Sequence, residues 1–384
     1  MSEFVFPRIR EVLRTHLKWS QRNLKPYTDE MRIIFDENGI RARILSQIQG
    51  PFMTRIEVVP ADARSASTIL QLAPTFRMVF RRSDMQIFRR DGHIFFDVPW
   101  QNDQVYLGDN LHCAEFLECR GIPVAAGMDL YRQPYINDLA GCPHLLTGGS
   151  GNSARADLLH GIILSTLLSC QPDDIELYLL GGRSPDLSRY RRLPYCHVEN
   201  DPGTGLALLD ELCLEMDKRR RQIAVSGCTD IYDYCELVEN VKHLLVMITE
   251  LEDLMDEGRR TCENALRRLA RDAGPCGIHL VLSSERPVIF RSLADEFPAR
   301  MCLKVDNTAD SLVMLDRRGA EKLGKGLLYY RENDTAEPVL LQCGSVTQQE
   351  IRRVVSALAS NFPEEDLLPD DAGFWDKLFA RVHS

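Results

Sequence analysis

The feature that most constrains the fold of this chain is an alternation of short apolar strands with helices, which begins near Gly121 and continues for about 200 residues. We predict strands at His144–Thr147, Ile175–Leu180, Leu244–Thr249, Ile278–Ser283 and Met301–Val305, separated by helices at 156–168, 204–225 and 258–273. Such alternation is typical of a largely parallel sheet with helices on both faces, in which ligands bind at the carboxyl ends of the strands. The predicted fold class is therefore α/β.

The region before this alternation has a different pattern. Segments such as TRIEVVP, QIFRRDG and HIFFDVPW are rich in β-branched and aromatic residues and are bounded by Gly, Pro and Asp, which predicts a small α+β domain over residues 49–120. Residues 1–48 are predicted to be helical, and residues 121–362 to form the parallel-sheet domain. The last segment, 363–384, is predicted to be an acidic linker with an amphipathic tail that carries Phe374, Trp375 and Phe379.

Composition excludes several classes of protein. With 44% hydrophobic and 27% charged residues the chain can bury a sizeable core, so it is not disordered. It has no apolar run of membrane-spanning length, no signal peptide and no CxxC pair among its 12 cysteines, which predicts a cytoplasmic protein without a membrane anchor or a zinc cage. The net charge of −10 is the wrong sign for coating nucleic acid by bulk charge, although arginines bunch in the first third as Arg77, Arg81, Arg82, Arg89 and Arg90.

The first predicted strand of the larger domain runs into a glycine-rich turn, LLTGGSGNSARAD, and then into a helix. This is the position at which a phosphate-binding loop sits, because backbone N–H groups at the start of a helix can cradle phosphates. When the motif GxxxxGK[ST] is laid from Gly149, its second Gly is Ala154, its Lys is Arg155 and its Ser/Thr is Ala156. An ordinary strand-to-helix turn remains the alternative interpretation.

Other motifs occur in an order that identifies a family. They are GPFMTRIE from Gly50, VYL from Val105, IPVAAGMDLYRQPYINDL from Ile122, PHLL from Pro143, PDLSRYRRLP from Pro185, GIHLVL from Gly277, and Asp310-Ser311 followed by GAEKL from Gly319. From about Gly50 to about Ser356, the chain resembles the motor domain of the FtsK/SpoIIIE family of hexameric double-stranded-DNA translocases. The resemblance implies a RecA-like P-loop domain preceded by a small FtsK-type α-domain, and a ring-forming oligomer on DNA.

The resemblance also identifies a nucleotide site that departs from the family pattern. Its positions are Gly149, Gly151, Ser153, Ala154, Arg155, Ala156, Thr249 and Glu285. Thr249 stands where the family has the aspartate that orients Mg²⁺, and Glu285 where the family has a glutamine that senses the γ-phosphate. Neither Thr249 nor Ala156 can supply the usual contribution to the metal. We therefore predict that ATP is either not bound or bound without hydrolysis, and that Mg²⁺ is held poorly.

Other candidates come from the same comparison. Glu250 is a candidate residual base, although it also fits a solvated acidic residue, and Arg300 is a candidate trans-acting arginine, although it also fits a strand-end arginine paired with an acid. Candidate contacts to DNA phosphates are Lys218, Arg219, Arg220, Arg221, Arg259, Arg260, Arg267, Arg268 and Arg271. These cations also fit a helix surface balanced by nearby Glu and Asp. No base-reading module is predicted, so binding to double-stranded DNA would lack sequence specificity.

The hypothesis from the sequence is a catalytically degenerate FtsK-like protein. It would be a non-hydrolysing structural or regulatory subunit, assembled as a homo-oligomer or with a competent ATPase on DNA. Two alternatives are an active ATP-dependent double-stranded-DNA translocase and a pseudo-ATPase module that binds proteins, as in secretion motors. Neither the winged-helix domain nor the membrane anchor of the septal family members is predicted.

Overall fold

The computed structural model describes residues 4–16, 27–99, 104–181, 185–332, 337–363 and 367. The chain divides into two compact units. The smaller unit comprises His16–Val105 and Met128–Gln133, and the larger unit comprises Met1–Thr15, Tyr106–Gly127 and Pro134–Ser384. None of the helices within the described ranges is both long and apolar enough to cross a membrane.

Helix α1 (Ile9–Val12) opens the larger unit, and the elements of the smaller unit follow it in the chain. They are α2 (Tyr27–Glu37), β1 (Ala42–Gln49), β2 (Met53–Pro60), α3 (Ala63–Gln71), α4 (Ala73–Val79), β3 (Gln86–Arg90) and β4 (His93–Pro99). The four strands form an antiparallel sheet in the order β1-β2-β4-β3. Alternate residues of β2 and β4, such as Ile56 and Phe96, are fully buried with Met31, Ile69 and Phe76 of the helices.

Strand β1 corrects the prediction that residues 1–48 are helical. Its segment, ARILSQIQ, pairs with β2 along its whole length, with one irregularity between Ile44 and Ser46. Exposed residues alternate with half-buried residues over its first half, which is the two-residue period of a strand.

The second predicted boundary, at residue 120, also differs from the structure. Leu107, Leu111 and Phe116 are buried in the core of the larger unit, so the division falls at Val105. The predicted amphipathic tail, with Phe374, Trp375 and Phe379, lies outside the described residues.

The larger unit is built on a ten-stranded sheet. Its remaining elements are α5 (Leu107–Leu111), α6 (Ala114–Leu117), β5 (Pro123–Met128), β6 (Pro134–Asp138), β7 (His144–Gly148), α7 (Asn152–Ser169), β8 (Ile175–Leu180), β9 (Cys196–Glu199), α8 (Pro202–Val225), α9 (Ile231–Leu237), β10 (His243–Ile248), α10 (Leu251–Asp272), β11 (Ile278–Ser284), β12 (Ala299–Leu303), α11 (Thr308–Leu315), β13 (Leu327–Glu332), β14 (Val339–Gln342) and α12 (Gln348–Ala359). The strand order is β6-β5-β14-β13-β12-β7-β11-β10-β8-β9.

Most of this sheet is parallel. The run β12-β7-β11-β10-β8-β9 is parallel throughout, whereas β13 pairs antiparallel with both β12 and β14. Neighbouring residues of β7 face opposite sides: Leu145 packs in one apolar cluster with residues of α7 and α12, and Leu146 packs in a second cluster with residues of α8 and α10. The predicted α/β fold with helices on both faces of a largely parallel sheet is therefore confirmed.

This topology brings together the residues that the sequence singled out. Strand β11 lies between β7 and β10, and its last residue, Ser284, pairs with Gly148 at the end of β7. The carboxyl ends of these three parallel strands meet at one edge of the sheet. The turn 149–151, Thr249 and Glu285 therefore share that edge.

Candidate nucleotide site

The glycine-rich turn joins β7 to α7, as predicted, and two of its amides are already used. The N–H of Gly149 donates to the carbonyl of Ser284 at 3.2 Å, and the N–H of Ser150 donates to the carbonyl of Lys304 at 2.8 Å. Gly149 has φ +156°, and a Cβ placed there would lie 2.6 Å from the Cβ of Leu303, so only glycine fits this turn. The turn is thus held by the ends of β11 and β12 on either side of it.

Arg155 lies in the first turn of α7 and is 1% exposed, which makes it the largest fully buried side chain in the described part of the chain. Its guanidinium donates to Oε1 of Glu285 at 2.8 Å, and the Glu285 side chain is about half exposed, at 47%. Two positions that the sequence identified separately, 130 residues apart, therefore form one ion pair. The neighbouring Ser153 is exposed and Ala156 is half-buried.

Thr249 follows β10 and is fully buried. Its hydroxyl donates to the carbonyl of Leu180 at 3.3 Å, and its N–H donates to the same carbonyl at 2.9 Å. A Cβ placed at Gly181 would lie only 1.8 Å from Oγ1 of Thr249. The Thr249 side chain is therefore packed against the end of β8 and bonded there.

Two glutamates follow Thr249, and the sequence pointed to only the first of them. Glu250 is the residue that precedes α10, with φ −137° and ψ 81°, and it is partly exposed. Glu252 lies in the first turn of α10 and accepts hydrogen bonds from the hydroxyl of Ser284 and, at 3.3 Å, from the N–H of Arg286. The carboxylate that reaches the end of β11 thus belongs to Glu252, which was not among the residues predicted from the sequence.

One further carboxylate lies in α7, directly after Ala156. Burial raises the pKa of Asp157 to about 6, and its carboxylate accepts a hydrogen bond from the N–H of Val346 at 3.4 Å. Within the described ranges, no group of three or more His, Cys, Asp or Glu side chains is arranged to hold a metal ion.

Arg300 does not have the surface position that a trans-acting arginine requires. It lies in β12 with 5% exposure, and its guanidinium donates to the carbonyls of Ala294 at 2.6 Å, Val313 at 3.1 Å and Phe297 at 3.4 Å. Burial and the nearby Arg331 lower the pKa of Arg300. These bonds, and the 3.9 Å between Nη1 of Arg300 and Oδ2 of Asp316, fit the alternative interpretation of a strand-end arginine paired with an acid.

The predicted DNA-contact cations of α8 and α10 are also largely engaged within the fold. Arg219 is 5% exposed and bonds to Glu215 at 2.8 Å and to the carbonyl of Cys276 at 3.1 Å, which removes it as a surface contact. Six of the others have bonds as follows: Lys218 to Glu215, Arg220 and Arg268 to Asp217, Arg221 to the carbonyl of Asp217, Arg267 to the carbonyl of Ser292, and Arg271 to Glu296. Arg260 is exposed. Most of these cations balance local acids, as the alternative interpretation holds.

A cavity of about 430 Å³ lies beside the end of β11, and its cations are the predicted candidate Arg259 and two arginines that the sequence did not single out. Its lining comprises Arg259, Arg286, Arg291, Glu252, Glu263, Val288, Ile289 and Ser292. Arg259 pairs with Glu263 at 3.4 Å, whereas the exposed Arg286 and Arg291 have no side-chain partner among the described residues. Two unpaired guanidinium groups therefore face solvent next to the candidate nucleotide site.

Comparisons with known proteins agree with this architecture. Residues 117–244 match the profile of the FtsK/SpoIIIE family. The chain is 30% identical over 342 residues to the DNA translocase SftA of Bacillus subtilis. That alignment covers 85% of this chain and 36% of SftA. It is 28% identical over 364 residues to DNA translocase FtsK 1 of Neisseria meningitidis serogroup B. That alignment covers 86% of this chain and 45% of the relative.

Solved structures show the same fold. The conjugation coupling protein TcpA of pCW3, solved as a monomer with ATPγS, superposes with a TM-score of 0.61 at 19% identity, over 86% of this chain and 98% of that one. The type VII secretion ATPase EccC of Thermomonospora curvata superposes with a TM-score of 0.58 at 22% identity, over 70% of this chain and 36% of the EccC chain. The chain spans between a third and a half of the length of the two translocases. Together, the family match and the two relatives show that this chain carries a motor domain of the FtsK/SpoIIIE family.

Proposed function

We propose that this protein is a non-hydrolysing subunit of a DNA-associated motor assembly in the cytoplasm. It has a structural or regulatory role in a ring-type oligomer, formed with itself or with a competent ATPase. The observation that carries the proposal is the ion pair between Arg155 and Glu285, the residues that stand where the family pattern has its phosphate-binding lysine and its γ-phosphate-sensing glutamine.

This ion pair opposes nucleotide binding in two ways. The cation that would face the β- and γ-phosphates is buried and neutralised by a protein carboxylate, and that carboxylate would repel the γ-phosphate. The amides of Gly149 and Ser150, which a phosphate would need, already donate to the carbonyls of Ser284 and Lys304. A nucleotide would have to displace these bonds before it could gain its own.

The residues at the two positions that would hold Mg²⁺ do not fit the ion either. Mg²⁺ would neutralise the charge of the ATP phosphates, but the family pattern supplies its oxygen ligands from an aspartate at position 249 and a hydroxyl at position 156. Thr249 is neutral and bonded to the end of β8, and Ala156 has no ligand atom. Catalysis of phosphoryl transfer is mostly positioning and electrostatic stabilisation, so these losses remove most of what the protein would supply.

The proposed association with DNA rests on the family and on the cations beside the cavity. The two matched relatives are named as DNA translocases. Unpaired Arg286 and Arg291, with Arg259 beside them, would contact backbone phosphates, which carry no sequence information. Double-stranded DNA would therefore be bound without sequence specificity.

Hydrolysis of ATP by the purified chain, with and without long duplex DNA, tests the first part of this proposal. We expect no turnover above background in either condition, because Arg155 is buried and paired with Glu285, and because Thr249 and Ala156 supply no carboxylate or hydroxyl ligand to a metal ion. Glu250→Ala and Glu252→Ala variants serve as controls for contaminating ATPases. Turnover that either substitution abolishes would contradict the proposal and would favour an active translocase.

Binding to a labelled duplex tests the second part. We expect the double variant Arg286→Ser/Arg291→Ser to bind duplex about tenfold more weakly and with a smaller salt dependence, because two phosphate contacts are lost. The matched control is Arg352→Ser/Arg353→Ser, which removes two exposed arginines from α12 and changes net charge equally. Equal losses in the two double variants would show that only bulk charge matters, and the proposed contact surface would then be wrong.

A further inference from the structure

One face of the sheet in the smaller unit carries an unusual set of planar side chains. Residues of β2, β3 and β4 that alternate with the buried core residues lie on this face, opposite the apolar core. Phe88 and Phe95 are directly paired across β3 and β4, and both are partly exposed. Large aromatic side chains on the outer face of a sheet require an explanation, because polar residues usually occupy it.

The rings on this face are nearly parallel. The centroids of Phe88 and Phe95 lie 5.5 Å apart with an interplanar angle of 25°, and those of Phe95 and His93 lie 6.3 Å apart with an angle of 22°. The guanidinium of Arg55 lies over the rings of Phe95 and Phe88, at 5.5 and 5.8 Å from their centroids. We call these four residues, His93, Phe95, Phe88 and Arg55, the aromatic platform.

The two carboxylates that β2 and β4 place on this face, Glu57 and Asp97, are both engaged. Asp97 accepts two hydrogen bonds from Arg55, each at 2.7 Å, which fixes the plane of the guanidinium. Glu57 accepts from the Ser46 hydroxyl at 3.1 Å and lies 2.5 Å from Nδ1 of His93. Neither acid therefore presents an unpaired charge that would repel an anionic ligand.

Cations surround the platform. Arg43, which is paired with Val59 on the same face, is exposed and has no side-chain partner among the described residues. Arg90 is paired with His93 in the sheet, and its side chain is 65% exposed and forms an ion pair with the exposed Asp91 at 3.6 Å. The smaller unit as a whole has 14 Lys and Arg against 11 Asp and Glu, whereas the rest of the chain has 32 against 45. Positive charge is thus concentrated in the unit that carries the platform.

We propose that the aromatic platform binds single-stranded nucleic acid. Unpaired bases stack on Phe88, Phe95 and the Arg55 guanidinium, and Arg43 and Arg90 contact the flanking phosphates. Aromatic rings and arginine planes on a sheet, bordered by cations, are what sequence-tolerant recognition of single strands requires. This site goes beyond the proposed function, which concerns duplex phosphates at the larger unit, because the bases of a duplex are stacked on each other and are not free to stack on these side chains.

The test is fluorescence anisotropy of the full chain with a labelled 20-nucleotide poly-dT strand and, separately, a 20-base-pair duplex. We expect Phe88→Ala and Phe95→Ala to weaken binding of the single strand by about 5- to 100-fold each, since a stacked base contributes about 1–3 kcal/mol. Binding of the duplex should change by less than about twofold. Phe95→Tyr keeps a ring and should restore most of the affinity.

Met78→Ala is the matched control, because Met78 is an apolar residue of α4 in the same unit and is 72% exposed. Thermal unfolding of each variant checks that the fold is retained. The proposal is overturned if the unmodified chain does not bind the single strand, or if Met78→Ala weakens single-strand binding as much as Phe95→Ala does. It is also overturned if the two phenylalanine variants lose affinity for the single strand and for the duplex equally. Protection of β3 and β4 from hydrogen exchange on oligomerisation, without any binding of single strands, would instead identify the face as a protein interface.

Discussion

Arg300→Ala is expected to lower the free energy of unfolding by about 3–5 kcal/mol, the largest effect we predict for a single charged residue of this protein. The Arg300 side chain is 5% exposed, and it satisfies the carbonyls of Ala294, Phe297 and Val313. Alanine would leave these buried acceptors without their donor and would also leave a cavity at the end of β12. Arg300→Lys should recover only part of the loss, because a lysine cannot reach three separate carbonyls with one rigid plane.

Denaturant-induced unfolding of the purified variants measures this effect. Arg291→Ala is the control, since Arg291 is exposed and has no side-chain partner in the described part of the chain; its change should stay within about 0.5 kcal/mol. A trans-acting arginine would behave differently, because its loss would leave stability unchanged and would reduce only the activity of a neighbouring subunit. Full stability of Arg300→Ala would therefore refute the structural role.

Five strands of the larger unit, β7, β8, β10, β11 and β12, could be predicted because each is a short and largely apolar run. The run at Leu244–Ile248, for example, is buried on both faces of a parallel sheet, and its composition reflects that burial directly. Strand β1 was missed because its alternation is weak: ARILSQIQ contains only three large apolar residues, and it forms a strand because β2 pairs with it. Pairing of this kind is a tertiary effect that a local pattern does not contain.

The sequence predicted where the residues of the candidate site lie in the sheet, but it did not predict which hydrogen bonds and ion pairs their side chains form. Sequence placed Arg155, Thr249 and Glu285 at the ends of neighbouring strands, and the sheet order brings them to one edge. The bond between Arg155 and Glu285 depends on the direction in which two side chains point, which spacing does not give. The same limitation explains Arg219, which occurs in a run of four cations but faces the interior and bonds to Cys276. Likewise, Glu252 reaches β11 because it lies within the helix, whereas Glu250 lies before the helix begins.

Arg155→Ala is expected to lower the free energy of unfolding by about 2–4 kcal/mol without any change in ATP binding. The reason for the first effect is that alanine removes the largest fully buried side chain in the described part of the chain and leaves a cavity in the first turn of α7. The reason for the second is that the guanidinium already serves Glu285 and is not free to bind phosphate. Stability is measured by denaturant unfolding, and ATP binding by titration with a fluorescent ATP analogue.

A double-mutant cycle separates the ion pair from the burial of the arginine stem. The variants are Arg155→Ala, Glu285→Ala and the double substitution, and we expect a coupling energy of about 1 kcal/mol. This value is at the low end for a contact pair because Glu285 is 47% exposed and water screens its charge. Ser153→Ala, an exposed change in the same turn of α7, should be close to neutral. In a working phosphate loop the cation is held for the nucleotide, so its removal would reduce ATP affinity and leave the fold intact. A structural Arg155 thus predicts lost stability with unchanged ATP affinity, and a phosphate-binding Arg155 predicts the reverse. A stable Arg155→Ala variant with weakened ATP binding would contradict the proposed function and favour an active motor.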